Sequence, residues 1–135
     1  MRAFLVLVGR IFLSSLFLTG AYWHLVNWEA GLQKIKKTAV YYPDLVLILS
    51  TLLLFLGGIS LLLGYKTRLG AFFLLIEVIA TAVIFDRFWE IRGAEMMLVL
   101  LSFLTRMAVC GGLFLLLSNG PGSISVDYRL LRKQN

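Results

Sequence analysis

Four apolar segments, over residues 4–26, 45–64, 69–85 and 94–117, dominate this chain. A helix rises about 1.5 Å per residue, so each is long enough, or nearly so, to cross a hydrocarbon layer of roughly 30 Å. The sequence therefore reads as an all-α polytopic membrane protein. It is a single unit over residues 1–135, a bundle of four transmembrane helices with an interfacial segment between the first two and a tail over 118–135. Composition agrees: 60% of the residues are hydrophobic and 15% charged, and the mean hydropathy is +0.91, far from a soluble domain. The opening "MRAFLVLVGRIFLSSLFLTGAYW" has the basic start of a secretory signal. Its apolar run passes "TGA" into Tyr22 and Trp23 without a clean small-residue cleavage site, so it is read as a retained helix.

The basic residues set an expected orientation. Arg2, Arg10, Lys66, Arg68, Arg129, Arg132 and Lys133 fall on one side, opposed only by Asp127. Lys34, Lys36, Lys37, Arg87 and Arg92 on the other are balanced by Glu29, Asp44, Asp86, Glu90 and Glu95. The positive-inside rule then puts both termini and the "YKTR" turn in the cytoplasm of a prokaryotic inner membrane. In a soluble chain the net charge of +6 would suggest nucleic acid, but these residues sit at the ends of apolar segments and no such partner is expected. The partners expected are the lipid bilayer and a larger membrane complex or a second copy of the chain. Cys110 is the sole cysteine, which excludes an internal disulfide, a CxxC redox pair or a c-type haem attachment.

The long connection "NWEAGLQKIKKTAVYYPD" places Leu32, Ile35, Ala39, Tyr41 and Tyr42 near helical spacing with lysines between them, as in a short helix at the interface. Trp23, Trp28, Tyr41, Tyr42 and Trp89 share that side, as an interfacial aromatic belt would.

Two charges interrupt the membrane segments themselves. Glu77 is central in the third and Arg106 in the fourth, and because these run antiparallel the depths match. Charges at such depth face the bundle interior or a wet cavity. Three readings stay open: an architectural pair between the two helices, a polar pocket for a quinone headgroup, an anion or a proton, or a protonated Glu77 with Arg106 snorkelling or serving another subunit. A second polar cluster is expected at the outer end, where His24 and Asn27 close the first segment and Asp86 and Arg87 close the third. One imidazole alone makes a poor haem or metal ligand, so no metal site is expected and His24 is expected to bond Asp86 or a backbone group. Ser14 and Ser15 lie too far along the first helix to form a triad with His24. Gly57, Gly58, Ser60 and Gly64 in the second segment, Gly70 in the third, and Gly111 and Gly112 in the fourth suit close helix packing.

The stretches "GRIFLSSLFLTGAYWHLVN", "LGGISLLLGYKTRLGAFFL" and "GGLFLLLSNGPGSISVD", in this order and spacing, make the chain resemble the DoxX family of small four-helix membrane proteins over nearly its whole length. The resemblance implies a compact bundle associated with membrane redox systems. By position it brings forward Gly64, Thr67, Arg68 and Gly70 at the turn, and Gly111, Gly112, Gly120, Pro121, Gly122, Ser125 and Asp127 near the end. The chain departs from that pattern at Leu54 and Phe55, at Asp86, and at Thr105 with Arg106. The resemblance thus implies an accessory subunit of a redox or quinone-linked complex, with no intrinsic cofactor and room for a quinone. Two other readings stand beside it: a structural or assembly subunit without chemistry, and a small transporter or proton path using Glu77 and Arg106. Stand-alone catalysis is not expected, since nothing in the chain specifies a flavin, haem or iron–sulfur site.

Overall fold

A computed structural model describes residues 1–38, 40–87, 90–120 and 122–127. Ala39, Trp89, Pro121 and the basic tail residues Arg129, Arg132 and Lys133, all used above, lie outside the described residues. In order, the helices are α1 (Arg2–Val26), α2 (Trp28–Lys36), α3 (Pro43–Leu63), α4 (Thr67–Phe85) and α5 (Ala94–Asn119). Within a bilayer the backbone has no water to bond, so a helix, which satisfies each N–H and C=O internally, is what such apolar runs form. α1, α3, α4 and α5 are each long and apolar enough to span. α2 is the expected interfacial segment. Its Leu32 and Ile35 are buried against Leu47 of α3, while Lys34 and Lys36 occupy its last turn.

Helix ends differ from the sequence expectation by one or two residues, each for a local reason. α3 starts at Pro43, whose fixed φ suits the first helical position. It stops at Gly64, left-handed at φ 71°, ψ 32°. Gly64 N–H and Tyr65 N–H both return to the Ser60 carbonyl, at 3.0 and 3.2 Å. This closes the helix as a glycine C-cap does. α4 starts earlier than expected because Asp127, from beyond α5, accepts the amides of Lys66 (2.8 Å) and Thr67 (3.2 Å). A side chain distant in sequence thus does the work of an N-cap.

The four spans pack in the order α1, α3, α4, α5, and α1 meets α5 only slightly. That meeting lies toward the end that holds the chain termini, where Gly112 of α5 faces Leu13 of α1. Small residues set the other approaches. A Cβ at Gly57 would run into Leu74, one at Gly58 would meet Leu18, and one at Gly70 would strike Ser60. Gly111, by contrast, has open space beside it. Phe17, Leu61, Ala71, Leu74, Leu113 and Leu116 form the centre of the core, and residues 94–98 of α5, at the α2 end, are exposed.

Candidate functional site

Glu77, on α4, is only 8% exposed. Its Oε1 accepts a hydrogen bond from the Ser50 hydroxyl of α3 at 2.9 Å. One turn further along α4, the Thr81 hydroxyl donates to the carbonyls of Glu77 (2.9 Å) and Val78 (3.1 Å). The same Thr81 oxygen accepts from Arg106 Nη1 of α5 at 2.5 Å. Arg106 Nε lies 2.6 Å from Asp86 Oδ2, and Asp86 is buried at the end of α4. That contact is ionic and not an aligned hydrogen bond, since Asp86 Oδ2 accepts none. On the α1 side, His24 Nδ1 is 3.3 Å from Thr51 Oγ1. The Thr51 hydroxyl donates its proton to the Leu47 carbonyl (2.7 Å), so His24 Nδ1 is the donor and the Thr51 oxygen the acceptor. Lys34 Nζ sits 4.9 Å from the centre of the Phe85 ring, a cation–π distance.

Most of these groups line one cavity of about 530 Å³, built from all five helices and partly open. Its wall is mainly apolar, with His24, Lys34, Ser50, Glu77, Thr81, Thr105 and Arg106 as the polar elements. Volume and lining fall within the range of small-molecule sites, roughly 300–1,000 Å³ with a few placed polar groups. Among the described residues no three His, Cys, Asp or Glu side chains converge as a metal site would require.

The structure differs from two sequence expectations. Glu77 and Arg106 do not form an ion pair; Glu77 takes Ser50 and Arg106 takes Asp86 and Thr81. The reason is register. Gly120, just past α5, lies beside the Arg68 side chain, so α4 and α5 are level at the termini end. Counted from there, Arg106 is thirteen residues from Asn119, Thr81 fourteen from Thr67, and Glu77 only ten. At about 1.5 Å per residue Arg106 is level with Thr81. α5, with 26 residues against 19 in α4, overhangs at the α2 end, so matching helix midpoints misplaces the two charges. The second difference is the outer cluster of His24, Asn27, Asp86 and Arg87, which is dispersed. α1 packs on α3 and not on α4, so His24 meets Thr51. The Asn27 amide donates to Trp23 O at 3.4 Å, and Arg87 pairs with Glu90 at the surface, also at 3.4 Å.

Sequence reasoning passed over Arg10 as a site, although it is 1% exposed. Its Nε donates to Leu61 O (2.8 Å), Nη2 to Leu62 O (3.0 Å) and Nη1 to Ile124 O (2.9 Å). The guanidinium therefore caps the carbonyl end of α3 and holds the segment after α5. The turn and terminal motifs gather round it. A Cβ at Gly64 would collide with Arg10 and Ser125, Ser125 donates to Gly122 O (2.8 Å), and Asp127 N–H donates to Gly64 O (3.0 Å). Gly64, Thr67, Arg68, Gly120, Gly122, Ser125 and Asp127 thus build a clamp at the termini end, away from the cavity. A lone arginine in an apolar helix, on the same side as a glycine-ended hairpin, was the available signal.

Comparison with known proteins places this architecture. The model of the SURF4 family matches residues 1–133. The chain belongs to the SURF4 family. It is 37% identical to the inner membrane protein YqjF of Escherichia coli over 96% of this chain and 93% of that protein. It is 26% identical to the E. coli inner membrane protein YphA, over 95% and 91%. The Surfeit locus protein 4 homolog of Drosophila melanogaster is 28% identical over 93% of this chain, which covers 41% of that longer protein. No solved structure matches. Membership in the SURF4 family corrects the DoxX resemblance. Of the motifs that suggested it, the turn and terminal ones build the clamp at the helix ends, and the first-helix one also lines the cavity. The redox and quinone expectations lose the support they took from it. The chain is an integral membrane protein of the SURF4 family.

Proposed function

We propose that this protein is an inner-membrane binding protein for a small amphipathic molecule held in the cavity between its helices, with both termini cytoplasmic. The observation that carries the reading is the cavity of about 530 Å³ whose apolar wall bears Ser50, Glu77, Thr81 and Arg106. Polar groups in a bilayer are costly, and they persist where they face a cavity or a partner. The inner-membrane relatives YqjF and YphA support the location, and the distribution of Lys and Arg supports the orientation.

The test is binding of pyrene-labelled dodecyl alcohol, dodecyl trimethylammonium and dodecyl sulfate to the full chain in mild neutral detergent. At least one probe should bind saturably, one per chain. Binding should fall at least tenfold in Ala80→Trp and in Thr105→Trp, two exposed wall positions where an indole fills space without displacing the core. If no probe binds the folded protein, the reading is wrong, and the Ser50–Glu77 and Thr81–Arg106 bonds stand as ties between helices alone.

A further inference from the structure

We infer that the cavity takes a cationic amphiphile, an amine or quaternary ammonium on an apolar chain, with its head against Glu77. This rests on the cavity-binding reading above and names the ligand's chemistry. Of the charges on the cavity wall, Arg106 is already matched by Asp86 at 2.6 Å. Lys34 stands at the other end of the space, over the Phe85 ring. Phe85 is eight residues along α4 from Glu77, about 12 Å at 1.5 Å per residue. The Glu77 side chain hydrogen-bonds a neutral group, the Ser50 hydroxyl on Oε1, and feels Arg106 only through space, beyond ion-pair distance; its Oε2 accepts no hydrogen bond among the described residues. Removing a carboxylate from water without a counter-charge is expensive, and more so at membrane depth. Neutrality there is reached by a proton or by a cation, and the cavity beside Glu77 has room for the second.

The groups that face this carboxylate or share its cavity are Ser50 of α3, Thr81 of α4, Arg106 of α5, His24 of α1 and Lys34 of α2, with Asp86 beyond Thr81. None but Glu77 offers an unmatched negative charge. An anionic head would meet that carboxylate as a like charge, and an alcohol would gain one hydrogen bond without neutralising it. A cationic head matches the charge, while its chain lies against Leu16, Leu53 and Ile76 of the wall.

The same three dodecyl probes decide the matter. The trimethylammonium probe should bind at least tenfold more tightly than the alcohol, with the sulfate weakest. Glu77→Gln should bring the trimethylammonium probe down to the alcohol's affinity. On the unaltered protein, lowering the pH should weaken trimethylammonium binding while alcohol binding stays level, because a proton competes only with the cation. This arm needs no variant, so it decides even if Glu77→Gln does not fold. Equal affinity for alcohol or sulfate, a preference that survives Glu77→Gln, or cation binding indifferent to pH would each overturn the cation inference while leaving the cavity reading intact. Failure of all three probes to bind would overturn both.

Discussion

Removing the Arg10 guanidinium should cost this fold more than any surface change, and the structure gives a magnitude. The side chain is buried, and its bonds to described residues include three to carbonyls, between 2.8 and 3.0 Å, two on the end of α3 and one on Ile124. A hydrogen bond from a charged donor is worth about 1.5–3 kcal/mol in water-soluble proteins. Neutral interhelical bonds in bilayers average only about 0.6 kcal/mol, because the unfolded chain in the membrane also finds partners. Three charged bonds at the lower end of the first range give about 4.5 kcal/mol. That is more than about a thousandfold in the ratio of folded to unfolded protein, since about 1.4 kcal/mol is tenfold. Arg10→Met keeps the length and removes the donors. Titrating sodium dodecyl sulfate into mild-detergent micelles, with helix content followed by circular dichroism, measures the loss. Arg10→Lys should fall between the two, because an ammonium on one stem does not span carbonyls of two separate segments as a guanidinium fork does. If Arg10→Met unfolds within about 1 kcal/mol of the parent, the three bonds do not hold the helix ends and the clamp is misread.

Two further tests probe the ends of α4. Asp127→Ala removes the acceptor for the Lys66 and Thr67 amides and should cost about 1 kcal/mol, the usual worth of a cap. Faster hydrogen exchange at those two amides, with the rest of α4 unchanged, would mark the effect as local. Asp86→Asn and Arg106→Met should each destabilise by about 2–3 kcal/mol, below the 3–5 kcal/mol typical of a fully buried pair because 31% of the Arg106 side chain is exposed. The double variant should lose clearly less than the two singles added together. Additive losses would refute the pair.

The spans were legible because hydropathy over some twenty residues reports directly on the solvent a helix must meet. α2 was legible too, since its apolar and lysine positions alternate with helical period. The partners of Glu77 and Arg106 were not. Sequence gives a residue's position along its own helix but neither the overhang of one helix past another nor which helices are neighbours. Seven extra residues on α5 shift Arg106 from Glu77 to Thr81, and the packing of α1 on α3 turns His24 from Asp86 to Thr51. Arg10 escaped notice for a related reason. Three of the acceptors it meets are backbone carbonyls, and a carbonyl leaves no mark in the sequence to pair with. The glycines were read as helix-packing positions; a Cβ at Gly57, Gly58 or Gly70 would meet a side chain of a neighbouring helix, whereas Gly64 ends α3 and leaves room for Arg10 and Ser125.

The clamp also bears on the order in which the protein can be finished. Arg10 is synthesised with α1, yet two of its carbonyl partners lie on the later helix α3 and the third, Ile124, follows α5. Until α3 has been inserted, this cation must be carried by α1 with water or lipid headgroups as its company. Asp127, which seats the start of α4, leaves the ribosome later than any of the five helices. α1 thus settles only after segments synthesised well after it, and a nascent chain that stops before Ile124 and Asp127 would present its bundle unlatched to the cell's quality control.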